Sequence, residues 1–299
     1  MTSSSRFTRF APVALALSLV AGCGKTDSAP PVASVSLTPS KASVAVGSTI
    51  DLAYRFQVAP DAKLSGDYRV FVHLNREDGT MIWNDDHALP ADLRTSTWKP
   101  GQVIEYTRTR FIPLFSYVGP ATIEMGLFKD DERLPLSGPE AADRESPARS
   151  YKVATIELLP RSQSIQIIRL SGWYLPEFNA ADPAFEWQWT EKTATVSLQN
   201  PKHDSTLFLE YDSRPDFFGG QAQQVSIFAG NVRVGGFVAG SKDATIERIP
   251  ITAAQLGTAE MVQLRIEVDR TFVPAKIPNA GVDVRELGIR VFHLHVEPR

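Results

Sequence analysis

Tyr68-Arg-Val-Phe-Val-His-Leu74, continued by Asn75-Arg-Glu-Asp-Gly79 and Met81-Ile82-Trp83, is the stretch whose reading decides the fold class. Val70, Val72 and Leu74 recur at every second residue, the period that lines one face of a strand. Asp78-Gly79 predicts a hairpin turn, because glycine accepts the positive φ that tight connections require. Met81 then opens the return strand. The same alternation between turn residues extends outward to residues 50–58, 103–111, 121–128 and 151–158. In the second half it recurs at 164–170, 185–189, 194–198, 206–211, 224–228, 232–237, 245–249, 262–268 and 287–296. Only residues 251–256 suggest a helical turn. The expectation is an all-β chain with two antiparallel β-sandwiches, immunoglobulin-like or jelly-roll-like, over 33–160 and 161–299. The joint falls near Leu159-Pro-Arg-Ser-Gln163, where Pro160 breaks one strand before another begins. The segment Ser137–Arg149, rich in proline, alanine and charge, reads as a long surface loop.

Composition sets the outer limits. A chain of 299 residues suggests about two domains, and a hydrophobic fraction of 43% with 22% charged residues excludes disorder throughout. The formal net charge of -3 argues against a nucleic-acid partner, which selects a basic face. One cysteine excludes both an intramolecular disulfide and a cysteine-rich zinc site. No nucleophile elbow, HExxH, Walker A or GxGxxG pattern occurs, so neither cofactor nor metal is expected and the chain reads as no enzyme.

Residues 1–22 have the layout of a signal peptide: Arg6 and Arg9, then an apolar stretch from Phe10 to Val20 too short to span a bilayer. The run Leu19-Val20-Ala21-Gly22-Cys23 resembles the lipobox of bacterial lipoproteins. That resemblance implies a diacylglycerol-modified Cys23 thiol, cleavage before it and acylation of the new amine. Several acyl chains anchor durably where one holds only marginally. An ordinary secretory peptide with an incidental Cys23 is the alternative. Gly24 stands where an inner-membrane retention signal has Asp, which implies an outer-membrane anchor facing the periplasm. Residues 23–32, with Pro30 and Pro31, read as an extended tether.

Two further resemblances concern the sandwiches. Val-Phe-Val-His-Leu (70–74), Asp-Asp-His (85–87), Thr-Ser-Thr-Trp-Lys-Pro-Gly (95–101) and Glu-Met-Gly-Leu-Phe (124–128) before Glu-Arg-Leu-Pro-Leu (132–136) resemble β-sandwich domains appended to bacterial cell-envelope glycosyltransferases. Ser-Gly-Trp-Tyr-Leu-Pro-Glu (171–177), Phe-Glu-Trp-Gln-Trp-Thr (185–190), Asp-Arg-Thr-Phe-Val-Pro (269–274) and Asp-Val-Arg-Glu-Leu-Gly-Ile (283–289) resemble a module found beside surface-polysaccharide glycosyltransferases and methyltransferases. Both imply an accessory role in envelope glycan work rather than a reaction.

Trp173 and Tyr174, in a loop before Pro176, are candidate sugar contacts. Trp187 and Trp189 share one strand face, as a binding platform or as core. Arg270, Asp283 and Arg285 form a second candidate: a bidentate grip on an anionic glycan, or an ion-paired clasp on their loop. His293 and His295 point the same way on the last strand and read as its solvent side, opposite Phe292, Leu294 and Val296, with too few ligands for a metal. Asp85-Asp86-His87 reads as an ordinary polar loop. The leading functional expectation is a non-catalytic, lipid-anchored envelope protein that binds a surface polysaccharide or scaffolds its synthesis or export. The rivals are an envelope assembly lipoprotein, using the 137–149 loop or a sheet edge, and an unrecognised carbohydrate-active hydrolase.

Overall fold

The computed structural model describes residues 29–138, 140–143, 149–179 and 182–299. The signal segment 1–22, Cys23 and most of the tether lie outside the described residues. The class is all-β. In the first half, one sheet orders β10 (Leu136–Ser137), β1 (Ala33–Pro39), β3 (Thr49–Val58) and β7 (Val103–Phe111). The facing sheet orders β11 (Glu140–Asp143), β12 (Ser150–Leu159), β8 (Gly119–Lys129), β4 (Arg69–Arg76) and β5 (Met81–Asn84). Short strands β2 (Ser43–Ala45), β6 (His87–Ala88) and β9 (Glu132–Arg133) add to β12, β4 and β8.

The second half repeats the two-layer plan. Its first sheet runs β13 (Ile167–Arg169), β16 (Thr193–Gln199), β21 (Met261–Val268), β18 (Gln223–Ala229) and β19 (Val232–Ala239). Its second runs β14 (Glu177–Asn179), β15 (Asp182–Trp189), β22 (Arg290–Pro298), β17 (Ser205–Asp212) and β20 (Thr245–Ile251). Among the described residues, no ladder joins a strand before Leu159 to one after it. The ladders are antiparallel except β1 on β10 and β2 on β12. The one α-helical turn, α1 (Ala253–Leu256), is started by a capping box between Thr252 and Gln255.

Alternation explains both cores. On β3, Ile50, Leu52, Tyr54, Phe56 and Val58 point inward; on β4, Val70, Val72 and Leu74 answer them in one cluster. Burying each such side chain stabilises by about 1.5–3 kcal/mol. A second cluster draws Val196 and Leu198, Leu207 and Leu209, Val225 and Ile227, and Leu264 and Ile266 from both sheets of the other half.

The 137–149 loop needs correction. Ser137 belongs to β10, paired with β1, and Glu140–Asp143 forms β11, paired with β12; residues 139 and 144–148 lie outside the described residues. The edge of β12 offers unpaired backbone groups, and the polar segment supplies partners for them.

The histidine assignment is also corrected. His293 and His295 do share a side of β22, together with Phe208 and Glu210 of β17, but that side faces the first half instead of solvent. Phe111 stacks on His293 with ring centroids 4.9 Å apart and planes 20° off parallel. Glu210 meets His293 Nδ1 at 2.7 Å and lies 4.0 Å from Arg110 Nη1. Arg248 reaches Asp51 and Thr109, and Lys41 pairs with Glu297. His295 is 6% exposed; burial, with Lys41 adding to it, pushes its pKa down to about 4. The period was right, but nothing local signals that a second layer covers the polar side.

Candidate functional site

The segment from β13 to β15 carries two of the proposed ligand contacts, Trp173 and Tyr174, and its backbone is held at both ends. Trp173 forms an isolated bridge with Thr190, and Glu191 N donates to Gly172 O at 2.9 Å. Tyr174 follows, its hydroxyl donating to Glu286 O at 3.1 Å and its ring lying 5.0 Å from the Arg285 guanidinium carbon. Beside it is a shallow, open depression of about 430 Å³ lined by Tyr174, Glu191, Lys192, Thr193 and Glu286. Its walls offer one aromatic ring, one cation, two carboxylates and a hydroxyl.

Of the two readings of the charged loop, the ion-paired one matches the geometry. Arg285 Nη2 lies 2.6 Å from Asp283 Oδ2 and 2.7 Å from Glu177 Oε1. These two carboxylates, Asp283 first, raise the Arg285 pKa, and Arg285 in turn holds the Asp283 carboxyl low. Arg270 belongs elsewhere: it pairs with Asp269 at 2.9 Å, donates to Gln221 Oε1 at 2.7 Å, and lies over the Phe218 ring. Tyr174, Asp283 and Arg285 therefore come together, while Arg270 and Trp173 do not join them.

Trp173 packs against the second core and donates its indole N–H to Thr195 O at 2.8 Å. The guanidinium of Arg169, two strand positions beyond the inward-facing Ile167, lies 5.1 Å from the Trp173 ring centroid. Trp189 is buried in a smaller aromatic cluster with Phe272 and Leu287, and Trp187 packs against that cluster. Arg290 lies over both tryptophans, at 4.8 Å and 5.8 Å, and donates from Nε to the buried Asp212 at 2.9 Å. The β15 tryptophans thus serve packing rather than an open platform.

A constellation that the sequence reading passed over lies in the first half. Asp85 and His87, expected in an ordinary loop, are 4% and 6% exposed. Arg108 grips Asp85 through Nε at 2.9 Å and Nη2 at 2.8 Å, and Arg110 Nε lies 2.9 Å from Asp85 Oδ1. Tyr106 stacks on Tyr54 at 4.7 Å, and the Tyr54 hydroxyl points at Asp85 from 3.5 Å. His87 Nδ1 is 2.6 Å from Asp85 O and Nε2 is 2.9 Å from the Tyr106 hydroxyl. A carbonyl only accepts, so Nδ1 carries the proton and Nε2 accepts from Tyr106. Burial, reinforced by Arg108, pushes the His87 pKa down to about 4. Burial also raises both tyrosines. The available signal was the alternation on β7: Ile104, Tyr106, Arg108 and Arg110 share one face. Two arginines following an inward-facing isoleucine demand a buried anion.

No family model matches the chain, and no curated protein matches it. Solved structures give partial alignments. A Bacteroides uniformis beta-glucuronidase aligns over 86% of this chain and 28% of its own, at 11% identity and TM-score 0.28. The CBM51-2 and INT domains of Clostridium perfringens ZmpB align over 61% of this chain and 38% of their own, at 7% identity and TM-score 0.25. The Pseudomonas fluorescens alkylpurine DNA glycosylase AlkC aligns over 43% and 30%, at 16% identity and TM-score 0.28. The chain spans less than two-fifths of each of these proteins, and scores this low identify neither a common fold nor a shared activity.

Proposed function

We propose that this chain is a non-catalytic, lipid-anchored protein of the cell envelope, held through Cys23 on the periplasmic face of an outer membrane, and that its second sandwich binds a surface polysaccharide. The observation that carries the binding reading is the depression beside Tyr174. It is open, shallow and polar, with an aromatic edge and hydrogen-bonding groups of both signs, which suits an extended chain of hydroxyl-bearing rings better than a compact apolar ligand. The non-catalytic reading is supported by the candidate loop's own acid, Asp283, whose carboxyl Arg285 holds low in an ion pair, the opposite of what a general acid needs. A glycan array tests it: Tyr174→Ala should weaken binding at least several-fold while the chain stays folded. In cell fractionation, Cys23→Ser should move the protein from the membrane to the soluble fraction.

One observation favours an assembly role as the second reading. Leu175, Phe178, Val282 and Val284 are 83%, 63%, 92% and 79% exposed on the segments carrying Tyr174, Glu177, Asp283 and Arg285. Clustered exposed apolar side chains mark interaction surfaces. Silence on the array, with an envelope protein co-purifying and lost in Phe178→Ser, would favour this reading over glycan binding.

A further inference from the structure

Among the partly buried arginines of the second sandwich, compensation is uneven. Arg285 has Asp283 and Glu177, Arg290 and Arg214 have Asp212, Arg270 has Asp269, and Arg265 has Glu267. Arg169 has none. It lies on edge strand β13, following Ile165 and Ile167 on the side that packs against the core, and it is only partly exposed. Its Nε is sealed from solvent and finds no hydrogen-bond partner among the described residues. No carboxylate there comes within ion-pair distance of it, and its guanidinium lies over the face of Trp173. Desolvation lowers the guanidinium pKa, with Arg161 pushing the same way and Glu186 opposing from beyond contact range. A partly desolvated guanidinium without an anion is costly, whereas its planar fork is suited to taking a carboxylate in a bidentate grip.

The surroundings restrict what can fill the gap. β13 and β14 are the edge strands of the two sheets on the same side of the sandwich, so Arg169 lies at an open flank rather than in the interior. The Ser171 and Thr195 hydroxyls, 2.6 Å apart, are exposed on the adjoining segment. Trp173 and Tyr174 are consecutive at this edge, Trp173 packing inward and Tyr174 lining the depression, so the flank and the depression lie on the two sides of one short segment. We infer that Arg169, seated on Trp173, is the anion-recognition point of the glycan site, and that the polysaccharide carries carboxylate-bearing sugars. This rests on the glycan reading above and sharpens it: the acidic-sugar grip falls to Arg169, while Arg270 and Arg285 are occupied by their own carboxylates.

The test uses the detergent-solubilised full-length protein, titrated with tri-galacturonate, its neutral methyl ester and inorganic phosphate by calorimetry, with indole fluorescence as a second readout. Tri-galacturonate should bind at least about ten-fold more tightly than the ester, the scale of one charge-assisted pair. Arg169→Gln should remove that preference, whereas Arg285→Gln should keep it. The acid-over-ester comparison on the parent chain guards against a variant that folds poorly. Equal affinity for acid and ester overturns the inference, as does an acid preference retained in Arg169→Gln. Phosphate binding as tightly as tri-galacturonate overturns the assignment to an acidic sugar. If neutral array glycans still bind in a Tyr174-dependent way, the glycan reading survives that failure; if no glycan binds, both fall.

Discussion

Replacing Asp85 by Ala isolates the central charge of the first sandwich. The parent carboxylate is 4% exposed and takes two guanidiniums at 2.8–2.9 Å, while the side chains of Arg108 and Arg110 retain 30% and 28% exposure. Removing one partner of a fully buried pair costs about 3–5 kcal/mol, because the remaining charge is left uncompensated. Residual solvent contact of the arginines reduces this, and Glu210, 4.0 Å from Arg110, reduces it further. The expected loss is about 3 kcal/mol, roughly a 10 °C fall in the midpoint of the first sandwich. Calorimetric unfolding at pH 7 reads the shift. The Asp85→Ala, Arg108→Ala double variant should lose less than the sum of its singles, with coupling of about 1 kcal/mol or more. A single variant within about 0.5 kcal/mol of the parent would refute the reasoning, since the arginines would then be hydrated without Asp85.

Acid should destabilise the fold through His87 and His295. Each is lowered from 6.5 to about 4 in the folded chain, so the unfolded state takes up protons first as pH falls. Their stabilising contribution is complete above pH 6.5, declines from there toward pH 4 and is lost below it, at about 3 kcal/mol each. His295→Phe should flatten the stability slope across that window in urea titrations, and an unchanged slope would count against a buried neutral ring. Phe111→Ala, which removes the 4%-exposed ring stacked on His293, should cost about 3 kcal/mol and separate the calorimetric transitions of the two halves; a single unsplit transition argues against that contact coupling them. Gly172→Ala should be among the most damaging single changes in the Tyr174 segment. The residue sits at φ +77°, and a Cβ there would lie 1.9 Å from Thr193 O, so loss of both stability and glycan binding is expected, measured by thermal melt and array.

The sheets were legible where one face is apolar and the other wet. On β3 and β7 the alternation placed strand ends within a residue of those observed, because a register slip would turn every core side chain outward. Short strands such as β6 and β11 were not legible, since their pairing depends on an edge contributed by a distant segment. The site divided along the same line. Asp283 and Arg285 are two residues apart, so their pairing could be weighed locally, and the clasp alternative is the geometry found. Asp85 and Arg108 are 23 residues apart, and only the closure of one sheet on the other brings them together. His293 illustrates a third case, a correctly assigned face whose covering layer is encoded elsewhere in the chain.

The compensated arginines also explain why Arg169 stands out. An open β-sandwich has flanks where inward positions meet water, and long cationic side chains fill such positions by laying their stems on the core. At the first flank, Arg108 and Arg110 converge on Asp85. At the Asp212 end of the second sandwich, Arg290 and Arg214 converge on a carboxylate just as buried, with Trp187 and Trp189 alongside. The β13 flank has the cation and the tryptophan but no carboxylate in contact.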